Sequence, residues 1–387
     1  EQEMRAALAS LAEARAALAR GAAASGDAAS REHLSDALAR QDEALAKLGF
    51  PVHRFTLGEA PDGPTENMVA IRERGSGPHV GFAGHLDVVP AGEGWTGDAF
   101  TARIEDGRLV GRGANDMKSA IAAAVAAVSE LEQRQGTLSF LITGDEEGYA
   151  TFGTPRIIDW LNERGIRPDM IMIGEPTSET RLGDTVKIGR RGSLNFWLTV
   201  KGTQGHVAYP HKADNPVPRL ARVVEALSAL RLDEGTHAFP ASNLEFTALG
   251  TPTAASNLIP GEATAQGNIR FNNLHTGAEL AELVTRTARQ ADPACEVRTR
   301  ISGEAFLTPP GKLYDLVTDA IRAECGIEPE LSTGGGTSDG RFLINLCPVV
   351  DFGLPNATMH KVHESAAVDD IRTLTKVYRR IFEGGLR

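Results

Sequence analysis

Several apolar runs in this chain end abruptly in residues that can bind a metal. The stretch 81–90, GFAGHLDVVP, delivers His85 and, two positions later, Asp87. Asp116 follows RLVGRGAN, Glu146 and Glu147 follow LSFLITGD, Glu175 follows MIMIG, and His360 follows VVDFGLPNATM. An open α/β sheet gathers polar groups at the carboxyl ends of its strands. Runs of this kind, spread from residue 81 to residue 360, require a fold that brings distant strand ends to one edge.

The order of elements fits that requirement. Helices are predicted over 2–20, where Leu8, Leu11 and Leu18 share a face, and over 30–48, with Ser30 as its N-cap; the small-residue run 21–29 reads as a loop. Strands are predicted over 52–56, 68–73, 79–83, 137–143, 169–173 and 348–352, and helices over 118–133, 155–164, 312–325 and 368–383. Residues 99–110 read as a hairpin closed by Glu105-Asp106-Gly107. The alternation predicts an α/β layer structure with a mostly parallel sheet. From 191 to 301 the pattern changes to period-two strands such as SLNFWLTVKG and TAQGNIRF, with helices over 216–230 and 277–290. That is an α+β unit, one sheet covered on one face by two helices. The predicted organisation is a catalytic domain of residues 1–190 and 302–387, interrupted by an inserted domain of residues 191–301. A length of 387 residues agrees with two cores.

The chemistry of a dinuclear site asks for these residue types. Two divalent ions need a bridging carboxylate and a few further ligands each. His85, Asp116, Glu147, Glu175 and His360 meet that need, and histidine with carboxylate suits zinc, with cobalt or manganese as substitutes. Asp87 is left to accept the second ring N–H of His85, and Glu146 to take a proton from a bridging water. The net charge of −11 argues against nucleic acid or an anionic membrane as partner. Cys295, Cys325 and Cys347 are few and far apart, which predicts free thiols and a reducing cytoplasm. No apolar run reaches about 18 residues, so no membrane span is expected, and the first twenty residues lack the apolar centre of a secretion signal.

The stretches AGHLDVVP, GRGANDMKSAIAA, TGDEEG, IGEPT and NATMHKVHE resemble the dinuclear-zinc aminoacylase and desuccinylase group of metallopeptidases, from about residue 49 onward. The resemblance implies His85, Asp116 and Glu175 on one zinc, and Asp116, Glu147 and His360 on the other, with Glu146 as general acid and base. It further implies a homodimer formed through the inserted domain, with His206 reaching the partner's site to stabilise an oxyanion. Within the group, IGRRGSLNFWLTVKGTQGHVAYPHKADNP, SNLIPGEATAQGNIRFN and STGGGTSDGRF are similar to the desuccinylase branch. That branch implies a small anionic substrate, N-succinyl-L,L-diaminopimelate. Arg190, Arg191 and Arg270 then become carboxylate partners, Tyr209 and Asn257 hydrogen-bonding candidates, and Gly335, Gly336 and Thr337 part of a backbone N–H cradle. An acetylornithine-type deacylase, a carboxypeptidase and a non-catalytic metal-binding relative share the ligands and stay open. The chain departs from the group at Leu86, where Thr is usual, at Asn115, at GAAASGDAA in the N-terminal segment, and in the additional His363.

Overall fold

In the computed structural model, residues 28–59, 63–252, 255–336 and 338–387 are described. The helix predicted over 2–20 and all but the end of the loop over 21–29 lie outside the described residues. The first described helix, Ala28–Lys47, already includes Ser30, which is therefore a helical residue and not the N-cap.

The chain divides into two compact units: one runs to Ile188 and resumes over Thr308–Ser332 and Ser338–Arg387, and the other is Gly189–Leu307 with Thr333–Thr337. The crossing points lie a few residues from the sequence-based 190/191 and 301/302. The Thr333–Thr337 segment, assigned to the catalytic domain from sequence, groups with the second unit.

The first unit is built on an eight-stranded sheet. Its four central strands, in spatial order Thr137–Thr143, His79–His85, Met170–Ile173 and Val349–Asp351, all pair in parallel. Both faces of such strands are covered, so they read as mostly apolar runs: every residue of Thr137–Thr143 is buried. Antiparallel strands flank this centre, Thr65–Glu73 and Val52–Leu57 on one side and Thr185–Lys187 on the other, with Glu330–Ser332 as the far edge. Because the central strands are parallel, the ends at Thr143, His85, Ile173 and Asp351 all fall on one edge.

Helix Ser119–Ser129 is shorter than the 118–133 expected from its alanine run. Gln133 explains the stop: its amide donates to Gly136 O at 2.8 Å, and its carbonyl accepts from Arg72 Nε at 2.7 Å, turning the chain into the next strand. The hairpin is confirmed as Arg103–Glu105 and Arg108–Val110, and its two turn residues Asp106 and Gly107 both have positive φ, as a type I′ turn requires.

In the second unit an antiparallel sheet has the order Asn243–Gly250, Glu262–Phe271, Gly192–Lys201, Glu296–Gly303. Residues along Glu262–Phe271 alternate between buried and half-buried. The inward set, including Ala265, Ile269 and Phe271, packs with Leu220 and Val223 of helix Pro216–Ser228 and with Leu280 and Val284 of helix Gly277–Ala291. Asn215 caps the first helix, and a Thr276–Glu279 capping box starts the second.

Candidate dinuclear metal centre

His85 is the last residue of its strand and is buried to 1% exposure. Its Nδ1 lies 3.0 Å from the backbone carbonyl of Asp87. A carbonyl can only accept, so Nδ1 carries a proton and Nε2 is the ring atom turned toward Asp116. The Asp87 carboxylate, expected to do this work, stands farther off at 3.6 Å. It is occupied elsewhere: Oδ2 accepts the backbone N–H groups of Glu146 at 3.0 Å and Glu147 at 2.9 Å. Asp87 thus fastens the turn that follows Thr143 and sets where both glutamates project.

Asp116 sits in a single irregular turn, Ala114–Lys118, that opens helix Ser119–Ser129; the Asp116–Met117 peptide is cis. The turn packs tightly on the sheet because the neighbouring positions are glycine. A Cβ at Gly84 or Gly174 would lie 2.6 or 2.7 Å from the Met117 methyl. The two Asp116 oxygens face different ways. Oδ1 is 3.2 Å from His85 Nε2, and Oδ2 is 3.0 Å from His360 Nε2. His360 Nε2 is also 3.0 Å from Glu147 Oε1, and His85 Nε2 is 3.8 Å from Glu175 Oε1. Side-chain ligand atoms of His85, Asp116 and Glu147 lie within 4.8 Å of one another, as do those of His85, Glu146 and Glu175.

This cluster is short of positive charge. Burial, reinforced by Asp116, pushes the Glu175 carboxyl well above the usual carboxylate range, and burial does the same to Glu146 against the pull of His85. Burial resists a proton on His85, but the Asp116 hydrogen bond and the field of Glu175 hold it there. Hydrogen bonds to Asp116 and Glu147 raise His360 to about 10. Burial works against the ionised Asp116, yet its bonds to His360 and His85 bring it below the usual range. Two divalent cations among these atoms would supply the missing charge and use the same Nε2 lone pairs, so the donor set fits a dinuclear centre.

A further set of buried charges, Arg112, Lys118 and Glu364, adjoins the Asp116 turn. Glu364, fully buried, accepts from the backbone N–H groups of Gly113 at 3.1 Å, Asn115 at 2.8 Å and Asp116 at 3.0 Å, and from Arg112 Nη1 at 2.6 Å. Lys118 is also buried, and burial lowers its ammonium to about 8 against the fields of Glu364 and Asp87. All three stand inside stretches quoted for their ligands, and Glu364 follows His360 by four positions. Leu86 is buried, and the Asn115 amide donates to Pro355 O at 2.9 Å. The His363 ring packs 5.5 Å from Trp95.

The remaining sequence-derived candidates belong to the second unit. Arg190 does not present a free fork: Nη1 donates to Gly336 O at 2.9 Å. The glycine run therefore turns a carbonyl to this arginine, where an N–H cradle was expected. Gly335 has a φ of 95°, open to glycine, and Thr337 lies outside the described residues. Arg191 donates to Asn243 Oδ1 at 2.9 Å, and burial together with Arg191 lowers the Arg270 guanidinium. His206 is exposed on the short strand Gly205–His206, with its ring 5.9 Å from that of exposed Tyr209. Asn257 offers its backbone carbonyl to Val207 N–H at 3.2 Å.

Comparison with known proteins bears on this geometry. The sequence profile of peptidase family M20/M25/M40 matches residues 81–384. The chain belongs to that family. A curated relative from Zymomonas mobilis, named succinyl-diaminopimelate desuccinylase, is 57% identical over 89% of this chain and 91% of its own length. A relative of the same name from Rhizorhabdus wittichii is also 57% identical, again over 89% of this chain and 91% of its own length. Among solved structures, an M20 family metallo-carboxypeptidase from Sulfolobus solfataricus aligns over 97% of this chain and 98% of its own, with a TM-score of 0.77 at 18% identity. At that identity the M20 likeness carries the fold alone: a mixed α/β architecture on a sheet with a parallel centre. No helix among the described residues is long and apolar enough to cross a membrane.

Proposed function

We propose that this chain is a dinuclear metallohydrolase that cleaves N-succinyl-L,L-2,6-diaminopimelate to succinate and L,L-2,6-diaminopimelate. The observation that carries the reading is Asp116, whose two oxygens face His85 and His360 separately. The names of the relatives at 57% identity support the substrate. His85, Asp116 and Glu175 would hold one ion, and Asp116, Glu147 and His360 the other; two histidines among carboxylates suit zinc, with cobalt or manganese as substitutes.

When bound, such a pair supplies Lewis-acid polarisation of the amide carbonyl and a water of lowered pKa. The chain's residues do the rest. Asp87 holds the Glu146–Glu147 turn through two backbone N–H groups, and this fixes where Glu146 stands beside the ligand candidates. Glu146 accepts the proton of the attacking water and returns it to the leaving amine. Asp339 and Arg341 lie close enough for their charges to act on Glu146. The substrate carries three carboxylates, and the paired guanidinium groups of Arg191 and Arg270 are suited to one of them. The chain would form a homodimer through the Gly189–Leu307 unit, with His206 serving the partner's site as an oxyanion donor. Biosynthetic use of the product and three free cysteines fit a cytoplasmic enzyme.

The test is hydrolysis of the succinyl substrate beside N-acetylornithine by the zinc-loaded protein. Turnover of the succinyl compound alone is expected. Turnover of the acetyl compound instead would overturn the substrate.

A further inference from the structure

The ligands that share Asp116 come from segments far apart in sequence, and one buried carboxylate ties two of those segments together. Glu364 Oε1 accepts the N–H groups of Asn115 and Asp116, and Oε2 accepts that of Gly113 and the Arg112 guanidinium. Four donors fill the lone pairs of a carboxylate. Glu364 also closes the turn that carries His360: its backbone carbonyl accepts Gly111 N–H at 3.0 Å, and Thr358 and Ser365 bond each other across the turn at 2.7 and 3.1 Å. His360 itself is held with a left-handed φ of 60°, a conformation that needs such support. Arg112 extends the frame. Its Nη1 reaches Lys361 O at 3.3 Å, and its Nη2 reaches Pro90 O at 3.2 Å and Ala91 O at 3.0 Å, just beyond Asp87.

We propose that Glu364, clamped by Arg112, is a positioning residue that presents Asp116 and His360 to the same metal ion. The inference rests on the metal assignment above. Glu364 touches no ligand side chain. It acts through the backbone N–H of Asp116 and through the four-residue link to His360. The ion held by Glu147 and His360 depends on Glu364 through two of its ligands. The ion held by His85 and Glu175 depends on it through Asp116 alone. Loss of the carboxylate therefore weakens the two sites unequally.

The experiment is a cobalt titration of the metal-free protein, following the visible absorption of each equivalent, for wild type and for Glu364→Gln. Loss of an outer hydrogen-bond partner lowers metal affinity by about 10–100-fold. Glu364→Gln is expected to keep one equivalent near wild-type affinity and to weaken the other by that factor, with kcat falling more than KM rises. Glu364→Asp, which keeps the charge but shortens the reach, should fall between. If Glu364→Gln does not fold without metal, Arg112→Lys carries the same titration, because it keeps a cation but loses the fork that joins the segments, and the same unequal weakening is expected. Both equivalents binding as in wild type, or both weakened alike, overturns the proposal. A wild-type protein that binds fewer than two equivalents would instead refute the metal assignment, so the two failures are distinguishable.

Discussion

Substitution of Asp87 by asparagine separates charge from shape at the turn that carries Glu146 and Glu147. The carboxylate accepts two backbone N–H groups through Oδ2, at 3.0 and 2.9 Å, while Oδ1 lies 3.2 Å from Glu146 N and 3.6 Å from His85 Nδ1. Asparagine can place its carbonyl oxygen where Oδ2 stands and keep both contacts. Its NH2 group then faces the Glu146 N–H and the protonated Nδ1 of His85, donor against donor. Each retained bond drops from charge-assisted to neutral, a loss of about 1–1.5 kcal/mol, so the turn is held less firmly by about 2–3 kcal/mol. That corresponds to a fall in kcat/KM of about 30–150-fold if the glutamates must be fixed for turnover. Asp87→Ala is expected to be worse by about tenfold or more, because two N–H groups lose their acceptor outright. The assay is kcat/KM on the succinyl substrate with metal content and thermal unfolding measured on the same preparations. An Asp87→Asn enzyme within about threefold of wild type, or one as impaired as Asp87→Ala, would refute the reasoning.

Glu146→Gln should bind both metals with wild-type stoichiometry by elemental analysis and lose nearly all turnover; robust activity would remove Glu146 from the mechanism. Co-expression of Glu146→Gln with His206→Ala tests the partner role: mixed dimers have one site with both groups intact, so roughly a quarter of wild-type activity should return, against none if His206 acts within its own chain. Burial depresses His79 to about 4, with its Nε2 at 2.9 Å from Ser139 Oγ. The unfolded chain therefore takes up that proton first as pH falls. The stability this neutral histidine contributes is present above about pH 6.5 and lost toward pH 4, by at most about 3 kcal/mol. Denaturant unfolding of wild type and His79→Gln at pH 7 and pH 5 should differ in slope accordingly, and parallel pH profiles would count against it. Gly192→Ala would put a Cβ 2.2 Å from the Phe271 ring, so overpacking of about 1–3 kcal/mol should lower the melting temperature, and an unchanged melting curve would contradict the packing.

What sequence patterns made legible were features encoded locally. The parallel centre of the sheet is legible because strands buried on both faces are mostly apolar, and the candidate ligands His85, Glu147 and Glu175 stand where such a run ends, whereas Asp116 and His360 lie in turns. Strands Thr185–Lys187 and Glu330–Ser332 are three residues each and have no periodicity to read. Glu364 is illegible for a different reason: its partners at 112–116 are some 250 positions away, and nothing around a single glutamate announces backbone donors at that distance. The Asp87 carboxylate turns to the Glu146 and Glu147 N–H groups and not to the His85 ring, since the carbonyl of the same residue reaches that ring first. Arg190, expected to meet a carboxylate, has a bond to Gly336 O that depends on the return of a segment far down the chain.

The order of strands in the first unit has a consequence for synthesis of the chain. Val349–Asp351 lies between Met170–Ile173 and Thr185–Lys187 in the sheet, yet it is made after the whole of Gly189–Leu307. A nascent chain therefore carries an open seam at the middle of its main sheet while the second unit emerges and folds. His85, Asp116, Glu147 and Glu175 already exist at that stage, but His360 and Glu364 do not. Val349–Asp351, the last strand of the main sheet in chain order, closes the seam, and His360 and Glu364, which follow it, arrive together.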